Sequence, residues 1–249
     1  MKIIHLMLEP LEERYTSQSN AWINKAITDA GIELVEVTGE ALSDKVETGK
    51  VLDANSTIHW KMTQMAKVAR MFSQYQINSG DVFFTSDLWH HGLEAIPYMS
   101  MLNGIKTFIF GWLHAGSYTT GDFMEPAVEW GADMFEVGFH KLCDGIFVGS
   151  EYHKQKFINS RFPAVLREEA AKKVFVTGNP FNVLVRDTDL LAKKKQVIWP
   201  HRFDVEKGPD SMIRIMNSVM KEIKCNLVIC SSRKELEPPS ICLENSLDS

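Results

Sequence analysis

Short runs rich in Ile, Val and Phe alternate with longer segments of helical spacing over most of the 249 residues. This strand and helix alternation is typical of a parallel α/β sheet with helices packed on its faces. The sequence therefore predicts an α/β fold built on a Rossmann-like parallel sheet. The runs predicted as strands are 3–8, 32–37, 82–85, 107–110, 145–149, 174–177, 197–199 and 226–230.

Several stretches between these strands carry helix signals. The segment 58–72 repeats apolar residues every three or four positions, which predicts a helix packed on the sheet. A helix is also predicted from Ser19 or Asn20, both of which suit a helix cap, to Gly31 at its end. Another is predicted from Pro209, because the fixed φ of proline suits a first helical position.

A boundary between two α/β domains is predicted near residue 183. A turn sequence occupies 178–182, and a solvated run of lysines occupies 193–195. Most predicted strands precede this boundary, and the chain after it is too short for a second full sheet. The predicted organisation is an N-terminal Rossmann-like domain (1–182), a linker (183–195) and an incomplete C-terminal domain (196–249).

Composition excludes some functional classes. The formal charge is -5 and no long block of like charges occurs, so a general binder of nucleic-acid phosphates is not indicated. No apolar stretch approaches the roughly 20 residues of a membrane span. The N-terminus runs directly into a predicted strand and not into a signal peptide. We therefore expect a cytoplasmic protein with no transmembrane segment.

The cysteines show no spacing typical of a zinc site or a disulfide framework. They are Cys143, Cys225, Cys230 and Cys242, and we expect them to be reduced thiols. Asp87, His90 and His91 could each ligate a metal, but no second cluster of carboxylates and histidines accompanies them. No metal site is expected.

Polar loops follow the central strands, and ligands of open parallel sheets bind beyond the carboxyl ends of the strands. Asp87 and His90 follow the third predicted strand and are candidates to hold a substrate, with Asp87 alternatively a helix cap. The remaining candidates follow the next two strands: His114, Gly116 and Ser117 after the fourth, and Ser150 after the fifth. Ser150 also suits a helix cap.

The loop after the seventh strand carries the sharpest signal for chemistry. It reads Trp-Pro-His-Arg-Phe-Asp-Val-Glu-Lys-Gly over residues 199–208 and precedes the helix that starts at Pro209. Arg202 and Lys207, beside a helix N-terminus, can grip a diphosphate and neutralise the charge of a leaving nucleoside diphosphate. The alternative is a solvated charged turn.

No Gly-x-Gly-x-x-Gly or Walker-type loop occurs in the sequence, so neither a nicotinamide dehydrogenase nor a P-loop ATPase is indicated.

This strand, Arg-x-x-x-x-Lys-Gly and helix arrangement resembles the donor-diphosphate motif of retaining GT-B glycosyltransferases of the group-1, family-4 type. Trp-Pro-His-Arg with Glu-Lys-Gly-Pro resembles more closely the branch of the tRNA-queuosine mannosyltransferases. Two segments of the first domain also resemble this family in outline. They are Phe-Val-Gly-Ser-Glu at 147–151 and Val-Thr-Gly-Asn-Pro at 176–180.

The resemblance implies an acceptor-side first domain and a donor-binding second domain. It implies that Arg202, Lys207 and Gly208 hold the diphosphate of a UDP- or GDP-linked sugar, with no cofactor. It also implies that His114 lies near the transferred sugar as the catalytic residue. The acceptor stays open: a modified nucleoside in RNA or DNA, a glycan, a lipid or a small metabolite.

The chain departs from this family at its end. Family members continue well past the position of Ser231, through a Glu-rich motif that holds the donor ribose and sugar, whereas this chain ends at Ser249. Two alternatives therefore accompany the glycosyltransferase hypothesis. One is a non-catalytic acceptor-lobe fragment or binding module that lacks its donor pocket, and the other is a nucleotide-sugar enzyme of similar architecture such as an epimerase.

Overall fold

The computed structural model describes residues 1–10, 16–42, 56–122, 124–179, 194–201 and 207–229. The chain divides into two compact units, Met1–Leu184 and Val185–Ser249. The predicted linker and the C-terminal tail lie mostly or wholly outside the described residues.

The first unit is built on a six-stranded, all-parallel sheet with strand order 2-1-3-4-5-6. This confirms the predicted α/β fold with a Rossmann-like sheet. The strands are β1 (Lys2–Leu6), β2 (Glu33–Val37), β3 (Val82–Thr85), β4 (Phe108–Trp112), β5 (Gly145–Val148) and β6 (Val174–Val176).

Helices connect consecutive strands of this sheet. Because β2 lies on one side of β1 and β3 to β6 lie on the other, right-handed crossovers place the first helix on one face and the next ones on the opposite face. The helices are α1 (Thr16–Asp29), α2 (Thr57–Ser73), α3 (Ala95–Leu102), α4 (Ala132–Leu142), α5 (Glu151–Arg161) and α6 (Arg167–Ala171). Short 3₁₀ helices occupy Glu125–Trp130 and Ala164–Leu166.

The start of α1 and the end of β1 both differ from the sequence prediction. The Asn20 side chain does not cap the helix, since it accepts from the backbone N–H of Leu8 at 3.0 Å and donates to the Leu8 carbonyl at 2.8 Å. The β1 pairing ends at Leu6, with the Met7 N–H still donating to the Val37 carbonyl at 3.1 Å, and Leu8 bonds to a helix side chain in place of a neighbouring strand. The helix begins earlier, at Thr16.

The hydrophobic core lies on the α2 face of the sheet. Phe83, Ile146 and Val148 are completely buried there, and Phe72 of α2 stacks on Phe83 with ring centroids 5.9 Å apart. Residues of the other face, among them Phe84, Trp112 and Phe147, are half-buried. With α1 they line an open groove of about 650 Å³.

Gly111 allows the close approach of β4 to the loop that follows β3. A Cβ at this position would lie 2.5 Å from Leu88 Cδ2 and 2.6 Å from Thr85 Cγ2. The glycine thus brings the carboxyl ends of the two strands, and the loops that leave them, close together.

The second unit contains, among the described residues, the parallel pair β7 (Gln196–Trp199) and β8 (Asn226–Ile229) with α7 (Pro209–Glu222) between them. The predicted strand, helix and strand are confirmed, with Pro209 in the first turn of the helix, while most of the predicted turn between β7 and α7 lies outside the described residues. Gly208 occupies the N-cap in the left-handed region, at φ 64°. Met212 and Met216 form the buried side of α7.

No helix in the described ranges combines the length and the apolar character that crossing a bilayer requires. Cys143 and Cys225 are free thiols, in agreement with the prediction. Burial raises the pKa of Cys143 to about 12. Cys230 and Cys242 lie outside the described residues.

Candidate functional site

Polar side chains gather where β3, β4 and β5 end. Parallel strands deliver their carboxyl ends to one edge of the sheet, and the register pairs β3 with β4 and β4 with β5. The loops that start at this edge supply Asp87 and His114, and the first turn of α5, which follows β5, supplies His153. Electrostatic interactions link His114 to each of the other two, so residues that follow three successive strands form one electrostatic cluster.

Asp87 is held by a lysine that the sequence analysis did not single out. Lys61 of α2 contacts Asp87 Oδ2 with its Nζ at 2.9 Å and also donates to the Trp89 carbonyl. Asp87 Oδ1 accepts from the Trp89 backbone N–H at 3.1 Å. Burial raises the pKa of Asp87, but the charges of Lys61 and His114 outweigh it and hold that pKa below its ordinary value. The carboxylate is therefore ionised at neutral pH.

His114 stands two residues beyond the end of β4, half-buried and stacked on Trp112 at a centroid distance of 6.0 Å. Its Nε2 lies 2.8 Å from the backbone carbonyl oxygen of Ser86. Because a carbonyl only accepts, Nε2 carries the proton and Nδ1 is the basic nitrogen of the neutral ring. The bond to Ser86 therefore places a proton on Nε2 of His114.

A tyrosine and a second histidine form another part of the cluster. The Tyr118 hydroxyl and His153 Nε2 are 2.5 Å apart, and their rings are in contact. Burial raises the pKa of Tyr118, and the negative charge of Glu136 acts in the same direction. Burial lowers the pKa of His153, and the charge of His114 lowers it further. At neutral pH the tyrosine is therefore the donor and the imidazole the acceptor.

A buried ion pair supports the loop that carries Tyr118. The fully buried Glu136 of α4 accepts from the backbone N–H of Ser117 at 2.6 Å and pairs with Arg161 of α5. Arg161 Nη2 donates to the Ser117 hydroxyl at 2.7 Å, and the guanidinium lies 5.2 Å from the centre of the Tyr118 ring. Ser117 is therefore a support of the loop. Gly116 leaves room for the Tyr118 ring, which a Cβ would meet at 2.0 Å.

The other two acceptor-side candidates have structural partners. His90 is buried, with Nε2 3.1 Å from Gln64 Oε1 and Nδ1 3.0 Å from the His91 carbonyl oxygen. Burial and the charge of Lys61 lower the pKa of His90 to about 3. Ser150 caps α5, as predicted, since its hydroxyl accepts from the His153 N–H at 3.2 Å.

The second unit contains the predicted diphosphate residues. Lys207 and Gly208 directly precede α7, which follows β7 in the chain. Anions are stabilised at helix N-termini by the helix dipole and by exposed N–H groups. Arg202 lies outside the described residues.

Sequence reasoning missed Lys61, Tyr118, His153, Glu136 and Arg161. Only His153 carried a usable signal, since it lies three positions after a predicted cap at a strand end. The others lie on helices or loops whose contacts depend on how those elements pack.

No group of three or more metal-ligating side chains comes together in the described part of the chain. Comparisons with protein-family models and with curated proteins give no match to this chain.

Proposed function

We propose that this chain provides the acceptor side and the first part of the donor side of a GT-B-like glycosyltransferase. The observation that carries the proposal is the β7–α7–β8 unit, in which the Arg-x-x-x-x-Lys-Gly sequence ends at the N-terminus of a helix that follows a parallel strand. The cluster at the carboxyl edge of the six-stranded sheet supports it independently.

On the donor side, the positive end of the α7 dipole and the ammonium of Lys207 attract the diphosphate of a UDP- or GDP-linked sugar. The guanidinium of Arg202 adds a bidentate contact. As the sugar leaves, negative charge grows on the diphosphate, and these groups stabilise it more strongly in the transition state than in the ground state.

On the acceptor side, the reacting hydroxyl lies against His114. The bond from the anomeric carbon to the diphosphate breaks, a bond from that carbon to the acceptor oxygen forms, and the hydroxyl proton passes to Nδ1 of His114. The ionised Asp87 stabilises the imidazolium that results, because it interacts electrostatically with the ring. The Tyr118 and His153 pair supplies polar groups beside this position.

The test is sugar transfer measured with Arg202→Ala, Lys207→Ala and His114→Ala. We expect each substitution to abolish transfer while circular dichroism shows the fold intact. Lys221→Ala, which removes the same charge from the last turn of α7, is the matched control and keeps the activity. Unchanged turnover in both Arg202→Ala and Lys207→Ala would contradict the proposal.

A second candidate function is a non-catalytic binding module that uses only the acceptor-side cluster. It is favoured by the acceptor-side cluster itself, because Asp87, His114 and His153 all lie in the first unit. Such a module shows no sugar transfer and no affinity for nucleotide sugars.

A further inference from the structure

A chain of buried and partly buried hydrogen bonds runs across the strands of the sheet to His114. His5 of β1 is completely buried, with Nδ1 2.6 Å from Asn24 Oδ1 of α1. Its Nε2 lies 2.6 Å from the hydroxyl of Ser86. Ser86 follows β3 and is 1% exposed. Three elements distant in sequence thus contribute to one linear array.

The chemistry of the partners fixes the direction of each bond. Asn24 Oδ1 only accepts, so His5 Nδ1 carries the proton and donates to it. Burial, partly offset by the bond to Asn24, lowers the pKa of His5 to about 4, so the ring is neutral near pH 7. Nε2 of His5 is then an acceptor, and the Ser86 hydroxyl donates to it.

The array continues to His114 through the backbone of Ser86. Its carbonyl accepts from His114 Nε2 at 2.8 Å. The turn around it is fixed on both sides, since the Thr85 hydroxyl donates to the Asp87 carbonyl at 2.8 Å and the Leu88 N–H donates to the Trp112 carbonyl at 2.8 Å. The bond from the Ser86 hydroxyl to His5 adds a further restraint on residue 86, whose backbone carbonyl accepts from the imidazole.

We propose that Asn24, His5 and Ser86 are positioning residues that hold His114 in one ring orientation with the proton on Nε2. The role of His114 Nδ1 as proton acceptor rests on the proposed function. The coupling of His5 and Ser86 to His114 rests on geometry alone. Ser86 acts through His114 and does not touch a reacting atom, since its hydroxyl is buried and committed to His5.

The test is the exchange rate of the His114 ring N–H with water, followed by ¹⁵N NMR on the full chain and assigned with His114→Gln. In the wild type we expect a protected Nε2–H resonance. We expect exchange at least tenfold faster in Ser86→Ala and in His5→Gln, and slow exchange restored by Ser86→Thr, which keeps the hydroxyl.

Asn24→Ala tests the far end of the array, with Asn20→Ala as its matched control, because Asn20 is on the same helix and bonds only to Leu8 in the described contacts. We expect faster exchange in Asn24→Ala and wild-type exchange in Asn20→Ala.

Exchange unchanged in Ser86→Ala and His5→Gln would overturn the proposal. So would labelling of Ser86 by a fluorophosphonate probe, because that would make the serine an accessible nucleophile. Neither readout depends on sugar transfer, so loss of the proposed function would leave this result standing.

Discussion

Acidification from pH 7 to pH 5 should destabilise the first unit by about 4 kcal/mol through two histidines. His5 and His90 are buried, and burial lowers the pKa of His5 to about 4 and that of His90 to about 3, from an ordinary value of 6.5. Between these values the unfolded chain binds more protons than the folded one, so stability is full above pH 6.5 and falls as the pH decreases.

The size of the effect follows from the distance between pH 5 and the ordinary pKa. pH 5 lies 1.5 pH units below the ordinary histidine pKa of 6.5. Protonation of each imidazole in the unfolded chain therefore lowers the free energy of unfolding by about 2 kcal/mol, at about 1.4 kcal/mol per unit. His91, His140 and His153 also have lowered pKa values and add to the loss in the same direction. Asp81 and Asp87 lose their contribution only at lower pH, because their pKa values lie below the ordinary 3.8.

The assay is urea unfolding at the two pH values in a Trp199→Phe background, which leaves only tryptophans of the first unit as reporters. His5→Gln should reduce the difference between pH 7 and pH 5 by about 2 kcal/mol. Asn20→Ala removes a buried group that does not titrate, so it should lower stability equally at both pH values. A pH difference as large in His5→Gln as in the wild type would refute the reasoning.

Two further predictions concern the first unit. Lys61→Met leaves the Asp87 carboxylate without its ammonium partner, so we expect a loss of about 3 kcal/mol at pH 7 and a higher pKa of Asp87, read from urea unfolding and from NMR titration. Unfolding free energies should also distinguish two glycine substitutions. The Cβ of Gly138→Ala in α4 meets no atom within 4 Å, so this variant should gain up to about 1 kcal/mol of stability. Gly39→Ala places a Cβ 2.3 Å from the Trp60 carbonyl oxygen and should lose stability. Equal effects of the two glycine changes would contradict the packing described here.

The order of strands and helices was predictable from sequence because it depends on local periodicity. The run 82–85 was predicted with the limits the strand has, and Pro209 and Ser150 were placed correctly because caps and first turns have local rules. The end of β1 was missed, since Leu8 bonds to the side chain of Asn20 and not to a neighbouring strand, a contact that local periodicity does not reveal.

The candidate site was predictable only in part. Position at strand ends identified Asp87 and His114, because the carboxyl edge of a parallel sheet is fixed by topology. Lys61 could not be found in this way, since its contact with Asp87 depends on the rotation of α2 about its axis. His5 was equally hidden, because a histidine inside a strand gives no sign of the serine that it meets beyond the end of another strand.

Binding of a nucleotide sugar to the loop before α7 tests the central claim most directly. Titration calorimetry of the chain with UDP-glucose and GDP-mannose should give micromolar affinity for one of them. Lys207→Ala should weaken that affinity at least about tenfold, as loss of a charge-assisted contact implies, while Lys221→Ala should not. Absence of binding by both nucleotide sugars, or equal affinity in Lys207→Ala, would contradict the account.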